Sequence, residues 1–292
     1  MNDSVQTSIW SNEQLSLGEG PLTHHLRSSL IWCDINGSAM YEKPFSGGEA
    51  RKFELPVMPS AAGIIDAHSI LVATELDFRI LDLDSGSVEV GIAFPEDPAM
   101  RANDGRVHPS GAFWIGTMAK DLKGRPGAIY RLFEGALTKM IDNVVTPNSI
   151  CFAADGSFAY YTDGSHRVIW KIATDPATGD VSGEREIFVA LDKDTPGGPD
   201  GSVVDSEGNL WNSRWGGFAV DVYDPTGQRI HSYPVPVKQP TCPSFIGDNL
   251  DQIVTTSASV GLAPDRLSDS DGTVVQIHVP VAGRQEPIVR AF

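Results

Sequence analysis

Six short runs rich in β-forming residues recur along the chain at intervals of roughly 40 to 50 residues, a period typical of repeat folds such as propellers. Two further apolar runs follow each of them and another short run precedes it, so the repeating unit holds four predicted strands. The six runs are residues 30–34 (LIWCD), 70–74 (ILVAT), 113–117 (FWIGT), 158–163 (FAYYTD), 210–212 (LWN) and 253–256 (IVTT).

The segments between the runs are rich in Gly, Asp, Asn and Pro, as in DLDSG, DPATG and DPTG. This composition is typical of hairpin turns, and helical periodicity is nearly absent. A single four-stranded unit cannot bury both of its faces without neighbours. The pattern therefore predicts an all-β fold, a six-bladed β-propeller with four antiparallel strands per blade, as one domain over residues 1–292. Either residues 8–10 or residues 288–292 could supply the outer strand that closes the ring.

The chain is strongly acidic, with 22 Lys and Arg against 38 Asp and Glu and a formal net charge of −16. This charge repels phosphate backbones and anionic lipid surfaces. We therefore expect neither nucleic acid nor a membrane as a partner, whereas a metal cation or a neutral small molecule is compatible with the charge.

The start of the chain is polar and lacks the features of a signal peptide, and no apolar stretch approaches the roughly 18 residues of a membrane span. The three cysteines, Cys33, Cys151 and Cys242, are widely spaced and form no CxxC pair. Such a set predicts buried reduced thiols rather than a disulfide framework or a zinc site. We expect a cytoplasmic protein.

Polar residues open the innermost predicted strand in several repeats. In three repeats the polar residue stands eight positions before a glycine, in the frames NDGRVHPSG, NSICFAADG and DGSVVDSEG. The first strand of each propeller blade lines the central channel, so residues that open these strands face one another across the axis. These residues are Glu19, Asn103, Asn148 and Asp200, and, less regularly, Ser60 and Thr241.

Oxygen donors at these positions favour a metal site at one end of the channel. Asn148 and Asp200 follow proline directly, and the fixed φ of proline stiffens the backbone there. Carboxylate and amide oxygens suit Ca²⁺, Mg²⁺ or Mn²⁺, and first-row metals such as Zn²⁺ or Fe(II) also occupy such sets. Because fewer than six protein ligands leave positions for water and substrate, the pattern is typical of a catalytic site. We expect one divalent metal cation as the cofactor.

Five longer motifs extend over most of the chain. They are LGEGP (residues 17–21), RANDGRVHPSG (101–111), WIGTM (114–118), TPNSI (146–150) and PDGSVVDSEGNLW (199–211). Together they resemble the regucalcin and bacterial gluconolactonase family, also called the senescence marker protein family. The resemblance implies a six-bladed propeller of a group that includes sugar lactonases such as xylonolactonase.

The resemblance also implies a metal-ligand set. The Glu of LGEGP, the Asn of TPN and the Asp of PDG are similar to the metal ligands of the family, which implies Glu19, Asn148 and Asp200 as the ligands here. The implied reaction is hydrolysis of a sugar (aldono) lactone to the aldonic acid. We hypothesise that the metal polarises the lactone carbonyl, and that Asp200, as a ligand and neighbour of the attacking water, is the general base.

Substrate contacts follow from the same resemblance. The Arg and Asn of RANDG resemble the substrate-binding pair of the family, which implies that Arg101 and Asn103 orient the lactone. The loop after WIGTM resembles its lid, where Asp121 could contact sugar hydroxyls. Lys120 beside it departs from the more acidic pattern of the family.

Three alternatives are open at this point. The chain could be a non-catalytic calcium-binding regulator of the regucalcin type, because oxygen ligands tolerate Ca²⁺. It could be a metal-dependent hydrolase of the phosphotriesterase type. A protein-interaction platform is the third alternative, although the chain lacks the WD and GH signatures of such propellers.

Overall fold

A computed structural model describes residues 5–164 and 166–292 of the chain. Its regular structure is β-strand apart from one short 3₁₀ helix at Pro264–Arg266. The strands are β1 (Thr7–Ser11), β2 (Gly18–His24), β3 (Ser29–Asp34), β4 (Ala39–Pro44), β5 (Arg51–Glu54), β6 (Pro59–Ile64), β7 (Ser69–Thr74), β8 (Asp77–Asp82), β9 (Val88–Ala93), β10 (Met100–Val107), β11 (Phe113–Ala119), β12 (Gly127–Phe133), β13 (Ala136–Val144), β14 (Pro147–Phe152), β15 (Phe158–Asp163), β16 (Val168–Thr174), β17 (Val181–Ala190), β18 (Gly198–Val204), β19 (Leu210–Trp215), β20 (Ala219–Tyr223), β21 (Arg229–Pro234), β22 (Pro240–Ile246), β23 (Gln252–Ser257) and β24 (Val274–Ile277).

These strands form six four-stranded antiparallel sheets. Their orders are β2-β3-β4-β5, β6-β7-β8-β9, β10-β11-β12-β13, β14-β15-β16-β17, β18-β19-β20-β21 and β22-β23-β24-β1, which we number as blades 1 to 6. The innermost strands β2, β6, β10, β14, β18 and β22 each contact the next one, and β22 contacts β2. The prediction of an all-β, six-bladed propeller is confirmed.

The hairpins use the turn residues that the sequence places between the strands. In the turn between β20 and β21, the Asp224 carboxylate accepts hydrogen bonds from the backbone N–H groups of Thr226 (2.9 Å) and Gln228 (3.1 Å). Gly227 in the same turn has φ +86°, a conformation that glycine adopts without steric cost. These side-chain contacts fix the reversal of the chain, and with it the register of the hairpin.

The N-terminal strand closes the ring. β1 pairs with β24 and becomes the outermost strand of blade 6, with Thr7 opposite Ile277. Residues 288–292 have a different role, because the chain after β24 crosses the end of the channel at which the innermost strands finish. There the N–H of Val289 donates to the carbonyl of Ile64 in blade 2 (2.7 Å), and the N–H of Arg290 donates to the carbonyl of Gly111 in blade 3 (2.7 Å).

Each innermost strand has an irregularity of register close to its first residues, where the strand enters the channel. A β-bulge bends the strand and changes the direction of the side chains beside it. The six irregularities lie between Glu19 and Leu22, Pro59 and Ala61, Ala102 and Gly105, Asn148 and Cys151, Pro199 and Ser202, and Pro240 and Pro243. The same end of the channel is therefore bulged in all six blades.

Apolar side chains between neighbouring blades form the core. Between blades 3 and 4, for example, Trp114, Ile150, Phe152 and Tyr161 are buried together, and the indole N–H of Trp114 donates to the carbonyl of Gly179 (2.9 Å). Burial of such aromatic surface supplies most of the favourable free energy that holds blades together.

The cysteines lie in this interior as expected: Cys33, Cys151 and Cys242 are all buried and free. Over residues 5–164 and 166–292, no helix has the length and apolarity that crossing a membrane requires.

Candidate functional site

The four polar residues predicted to face the axis all lie at the bulges of innermost strands. Glu19 is in β2, Asn103 in β10, Asn148 in β14 and Asp200 in β18, and each is buried. Because every bulge lies at the same end of its strand, these residues share one end of the channel. The structure therefore places the expected metal ligands Glu19, Asn148 and Asp200 at the same level of the ring.

The carboxylates at this end perturb one another. The pKa of Glu19 is raised to about 8, chiefly by burial and also by the nearby Asp104 carboxylate, while the backbone N–H of Gly20 and the charge of Arg101 oppose the shift. Burial also raises the pKa of Asp200 well above its usual value, with added repulsion from Glu19 and Asp104. Glu19, Asp104 and Asp200 therefore interact electrostatically. The positive charge of Arg101 offsets part of the negative charge and lowers the pKa of both Glu19 and Asp200.

A chain of hydrogen bonds connects Arg101 to Asn148. The guanidinium of Arg101 donates to Oδ1 of Asn103 (2.7 Å), and Nδ2 of Asn103 donates to Oδ1 of Asn148 (2.7 Å). Arginine has no acceptor, so Asn103 must turn its oxygen toward Arg101 and its nitrogen toward Asn148. The amide oxygen of Asn148 is therefore the atom that faces Asn103, and a carbonyl oxygen with one accepted hydrogen bond keeps a second lone pair.

Asp104 is a buried site residue that the sequence motifs did not single out. Its Oδ2 accepts the backbone N–H of Ile150 in the neighbouring blade (2.7 Å). The pKa of Asp104 is raised to about 6, because the effect of burial exceeds the opposing effects of this hydrogen bond and of Arg106. The sequence signal for Asp104 was that two polar residues, Asn103 and Asp104, are adjacent in RANDG. In a regular strand adjacent side chains point to opposite faces, but at a β-bulge two adjacent side chains can both face the channel.

The opposite end of the channel is closed by the C-terminal segment. Arg106 in β10 forms a buried ion pair with Glu286. Arg284 donates to the carbonyls of Phe152 (2.8 Å) and Val204 (3.1 Å), which end the innermost strands of blades 4 and 5. These contacts cover the floor of the channel, so we expect a small molecule to approach the four polar residues from the bulged end.

Asp121 lies on the loop that follows β11, and its side chain is more than half exposed. Its carboxylate accepts the backbone N–H of Lys123 (3.1 Å). The neighbouring Lys120 forms an ion pair with Glu75 of blade 2 and donates to the carbonyl of Pro98 (2.8 Å). Lys120 thus connects the base of the predicted lid, in blade 3, to the preceding blade.

The donor chemistry at the bulged end fits a divalent cation. In the described residues, no group of three or more His, Cys, Asp or Glu side chains is arranged to hold a metal ion, so a three-ligand site here depends on the amide oxygen of Asn148. Burial raises the pKa of three carboxylates here, Glu19, Asp104 and Asp200, and repulsion from neighbouring carboxylates adds to the shift of Glu19 and Asp200. A bound cation would offset this repulsion, and hard oxygen donors are the ligands that such cations prefer.

Comparisons with known proteins point to one family. Residues 17–259 match the family model described as SMP-30/Gluconolactonase/LRE-like region. A provisionally named sugar lactone lactonase of Rhizobium meliloti (strain 1021) is 36% identical over 276 residues, 94% of each chain. The L-arabinolactonase of Azospirillum brasilense is 33% identical over 276 residues, 90% of this chain and 88% of the relative.

A solved structure supports membership of the same family. The calcium-binding protein regucalcin from Agrobacterium tumefaciens str. C58 superposes with a TM-score of 0.95 at 35% identity, over 98% of both chains. The region matched by the family model contains Glu19, Asn148 and Asp200 together with the five motifs. The chain belongs to the SMP-30/gluconolactonase/LRE-like family.

Proposed function

We propose that this chain is a divalent-metal-dependent hydrolase that opens a sugar lactone to the corresponding aldonic acid. The observation that carries the proposal is the set of buried oxygen donors Glu19, Asn148 and Asp200 at one level of the channel, with the Asn148 oxygen oriented by Asn103. Family membership supports lactone chemistry, and relatives named pentonolactonase and L-arabinolactonase point to five-carbon aldonolactones as the first substrates to test.

Glu19, Asn148 and Asp200 are the residues that would hold the cation. When bound, the cation supplies Lewis-acid polarisation of the lactone carbonyl. Ca²⁺, Mg²⁺, Mn²⁺, Zn²⁺ and Fe(II) are all compatible with an oxygen set that includes one amide.

Asp200 is the proposed general base. As a buried carboxylate among the proposed metal ligands it would lie beside the attacking water, and a carboxylate within hydrogen-bond reach of a water can accept its proton. Water adds to the carbonyl carbon, the ring C–O bond breaks, and the proton held by Asp200 passes to the departing ring oxygen. The products are a free hydroxyl and a carboxylic acid, so atoms and protons balance.

Arg101 and Asn103 are the proposed substrate-orienting residues. Arg101 uses one terminal nitrogen to bond Asn103 and the carbonyl of Ala102, and its other nitrogens are available to lactone oxygens. Because both residues are buried and hydrogen-bonded to each other, they present donors in a fixed geometry, which lowers the entropic cost of aligning the substrate. Asp121 on the exposed loop is the proposed lid contact to sugar hydroxyls.

A calcium-binding role without catalysis is the second candidate, and the observation that favours it is the likeness to a regucalcin named as a calcium-binding protein. One experiment separates the two. The chain is stripped with a chelator, each divalent metal is restored in turn, and ring opening of xylono-, arabinono-, galactono- and gluconolactone is followed with a pH indicator. Metal-dependent turnover supports the hydrolase, whereas Ca²⁺ binding without turnover of any lactone supports the regulator.

Site variants complete the test. Asp200→Asn keeps the size of the side chain but removes the base, so turnover should fall while the propeller stays folded. Asp205→Asn is the matched control, because Asp205 is also buried but accepts backbone N–H groups just beyond the opposite end of β18. If both variants keep the wild-type rate, the proposed role of Asp200 is wrong.

A further inference from the structure

Ser149 connects two of the proposed metal ligands. It directly follows Asn148 in β14, and its hydroxyl donates across the blade boundary to the backbone carbonyl of Asp200 in β18. The side chain is completely buried. This hydrogen bond therefore couples the positions of the two strands that carry the proposed ligands.

The backbone of Ser149 is in an unfavourable conformation. Its φ of +57° lies in the left-handed region, which costs a non-glycine residue of order 1 kcal/mol or more. The corresponding residue after Glu19 is Gly20, with φ +55°. Glycine is required there, because a Cβ would approach the Ser60 carbonyl oxygen to 2.5 Å. Blade 4 keeps the same backbone shape with a serine, which is explained if the hydroxyl itself is needed.

Neighbouring contacts restrict the Asp200 end of this connection. Nδ2 of Asn212 in β19 donates to the carbonyls of Asp200 (2.9 Å) and Gly201 (3.2 Å) and contacts the hydroxyl of Ser149 (3.2 Å). The carbonyl of Asp200 therefore has two buried donors, which fixes the orientation of its peptide and with it the direction in which the Asp200 side chain leaves the strand.

The Asn148 end is held from the other side. Nδ2 of Asn103 donates to the carbonyl of Pro147 (3.0 Å), and Asp104 accepts the N–H of Ile150 (2.7 Å). The peptide groups before and after the Asn148–Ser149 pair are thus bound to blade 3, while the Ser149 hydroxyl is bound to blade 5.

We infer that Ser149 is a positioning residue, which sets the separation of the Asn148 and Asp200 oxygens and thereby the affinity for the metal. The inference rests on the proposed function, because it assumes that these two residues are ligands. Groups that orient ligands without touching the metal typically change affinity by about 10- to 100-fold when removed. We expect a loss of this size for Ser149 variants.

The test measures metal binding directly. Ca²⁺ and Mn²⁺ are titrated calorimetrically into the chelator-treated wild-type chain and into Ser149→Ala and Ser149→Gly, and the melting temperature of each metal-free protein is recorded. Ser149→Gly removes the hydroxyl but suits the left-handed backbone, so it remains informative if Ser149→Ala fails to fold. Both variants should bind about 10- to 100-fold more weakly.

Thr23→Val is the matched control. The hydroxyl of Thr23 in β2 also donates to a carbonyl of the next blade, that of Phe245 in β22, but at the closed end of the channel. This variant loses the same kind of buried hydrogen bond, so its melting temperature should fall while its metal affinity stays at the wild-type value.

Each outcome is decisive. If the wild-type chain binds neither Ca²⁺ nor Mn²⁺, and none of the divalent metals restored after chelation gives lactone turnover, the proposed function fails. If the wild type binds but Ser149→Gly binds equally well, the proposed function stands and the positioning role of Ser149 is overturned. That role is also overturned if Thr23→Val weakens binding as much as the Ser149 variants do, because the effect then reflects loss of stability alone.

Discussion

The side-chain amide of Asn103 donates to Oδ1 of Asn148 at 2.7 Å, across the boundary between blades 3 and 4. Because Arg101 can only donate, it determines which end of the Asn103 amide faces Asn148. A proposed substrate residue thus also orients a proposed metal ligand, so substrate binding and metal binding share one hydrogen-bond chain.

Asn103→Ala should weaken metal binding, because the Asn148 amide is then free to turn its nitrogen toward the channel. The expected loss is about 1 to 2 kcal/mol, or roughly ten-fold in the dissociation constant. Calorimetric titration measures it. In an Asn148→Asp background both side-chain oxygens accept, so Asn103→Ala should cost less there. An equal loss in both backgrounds would argue against the orienting role.

The metal-free protein should lose stability as the pH rises. The folded pKa of Glu19, about 8, lies above its value in an unfolded chain, about 4.5, and the pKa of Asp200 is also raised. Between these pH values the folded state binds more protons than the unfolded state, so the free energy of unfolding falls with increasing pH. Melting temperatures from pH 5 to 8, with chelator, test this, and Glu19→Gln should flatten the slope.

Metal affinity should change with pH in the opposite direction. A cation competes with the proton on Glu19 and Asp200, so affinity should increase as the pH rises toward 8. Titrations at pH 6 and pH 8 provide the measurement. An affinity independent of pH over this range would mean that neither carboxylate is a ligand.

Asp200→Asn should lower kcat by about 10²- to 10⁴-fold, the usual contribution of a general base. It should also raise the melting temperature of the metal-free protein at neutral and alkaline pH, because the folded state then no longer has to take up a proton or bury a charge repelled by Glu19 and Asp104. Asp205→Asn should show neither the fall in kcat nor the rise in melting temperature, because the Asp205 carboxylate accepts hydrogen bonds from local backbone N–H groups. A stabilised but inactive Asp200→Asn is the expected signature of a functional carboxylate.

Glu286→Ala should destabilise the chain strongly, by about 3 to 5 kcal/mol, because it leaves Arg106 buried without its partner. A double variant, Arg106→Met with Glu286→Leu, should recover most of this loss, since apolar pairs of similar size often replace buried ion pairs without cost. Denaturant unfolding measures both. If the double variant is no more stable than Glu286→Ala, the unpaired charge on Arg106 is not the cause of the destabilisation in Glu286→Ala.

Asp121→Ala should raise KM without changing metal affinity, if the lid carboxylate meets sugar hydroxyls. Lys123→Ala is the control, because it removes the nearby lysine ammonium, 3.9 Å from the Asp121 carboxylate, and leaves that carboxylate in place. The KM values of the two variants are measured from initial rates on the lactone that the wild type turns over fastest, with metal in excess. An unchanged KM for Asp121→Ala would exclude the lid contact.

Local sequence patterns were sufficient to predict the fold and the end of the channel at which the candidate site residues lie. Strand periodicity, Asp-Gly turns and the 40- to 50-residue period are properties of neighbouring residues, and they predicted six blades with Glu19, Asn103, Asn148 and Asp200 in phase. The family motifs then implied a role for each of these residues, because they matched one by one.

Only the tertiary structure decided the contacts between blades. It selected β1 over residues 288–292 as the closing strand, brought Asp104 into the site beside Asn103, and directed the Ser149 hydroxyl to the Asp200 carbonyl. These features depend on bulges and on hydrogen-bond polarity between residues some 50 positions apart. A hydrogen bond of this kind joins whichever side chains the ring brings together, so no pattern within a single repeat encodes it.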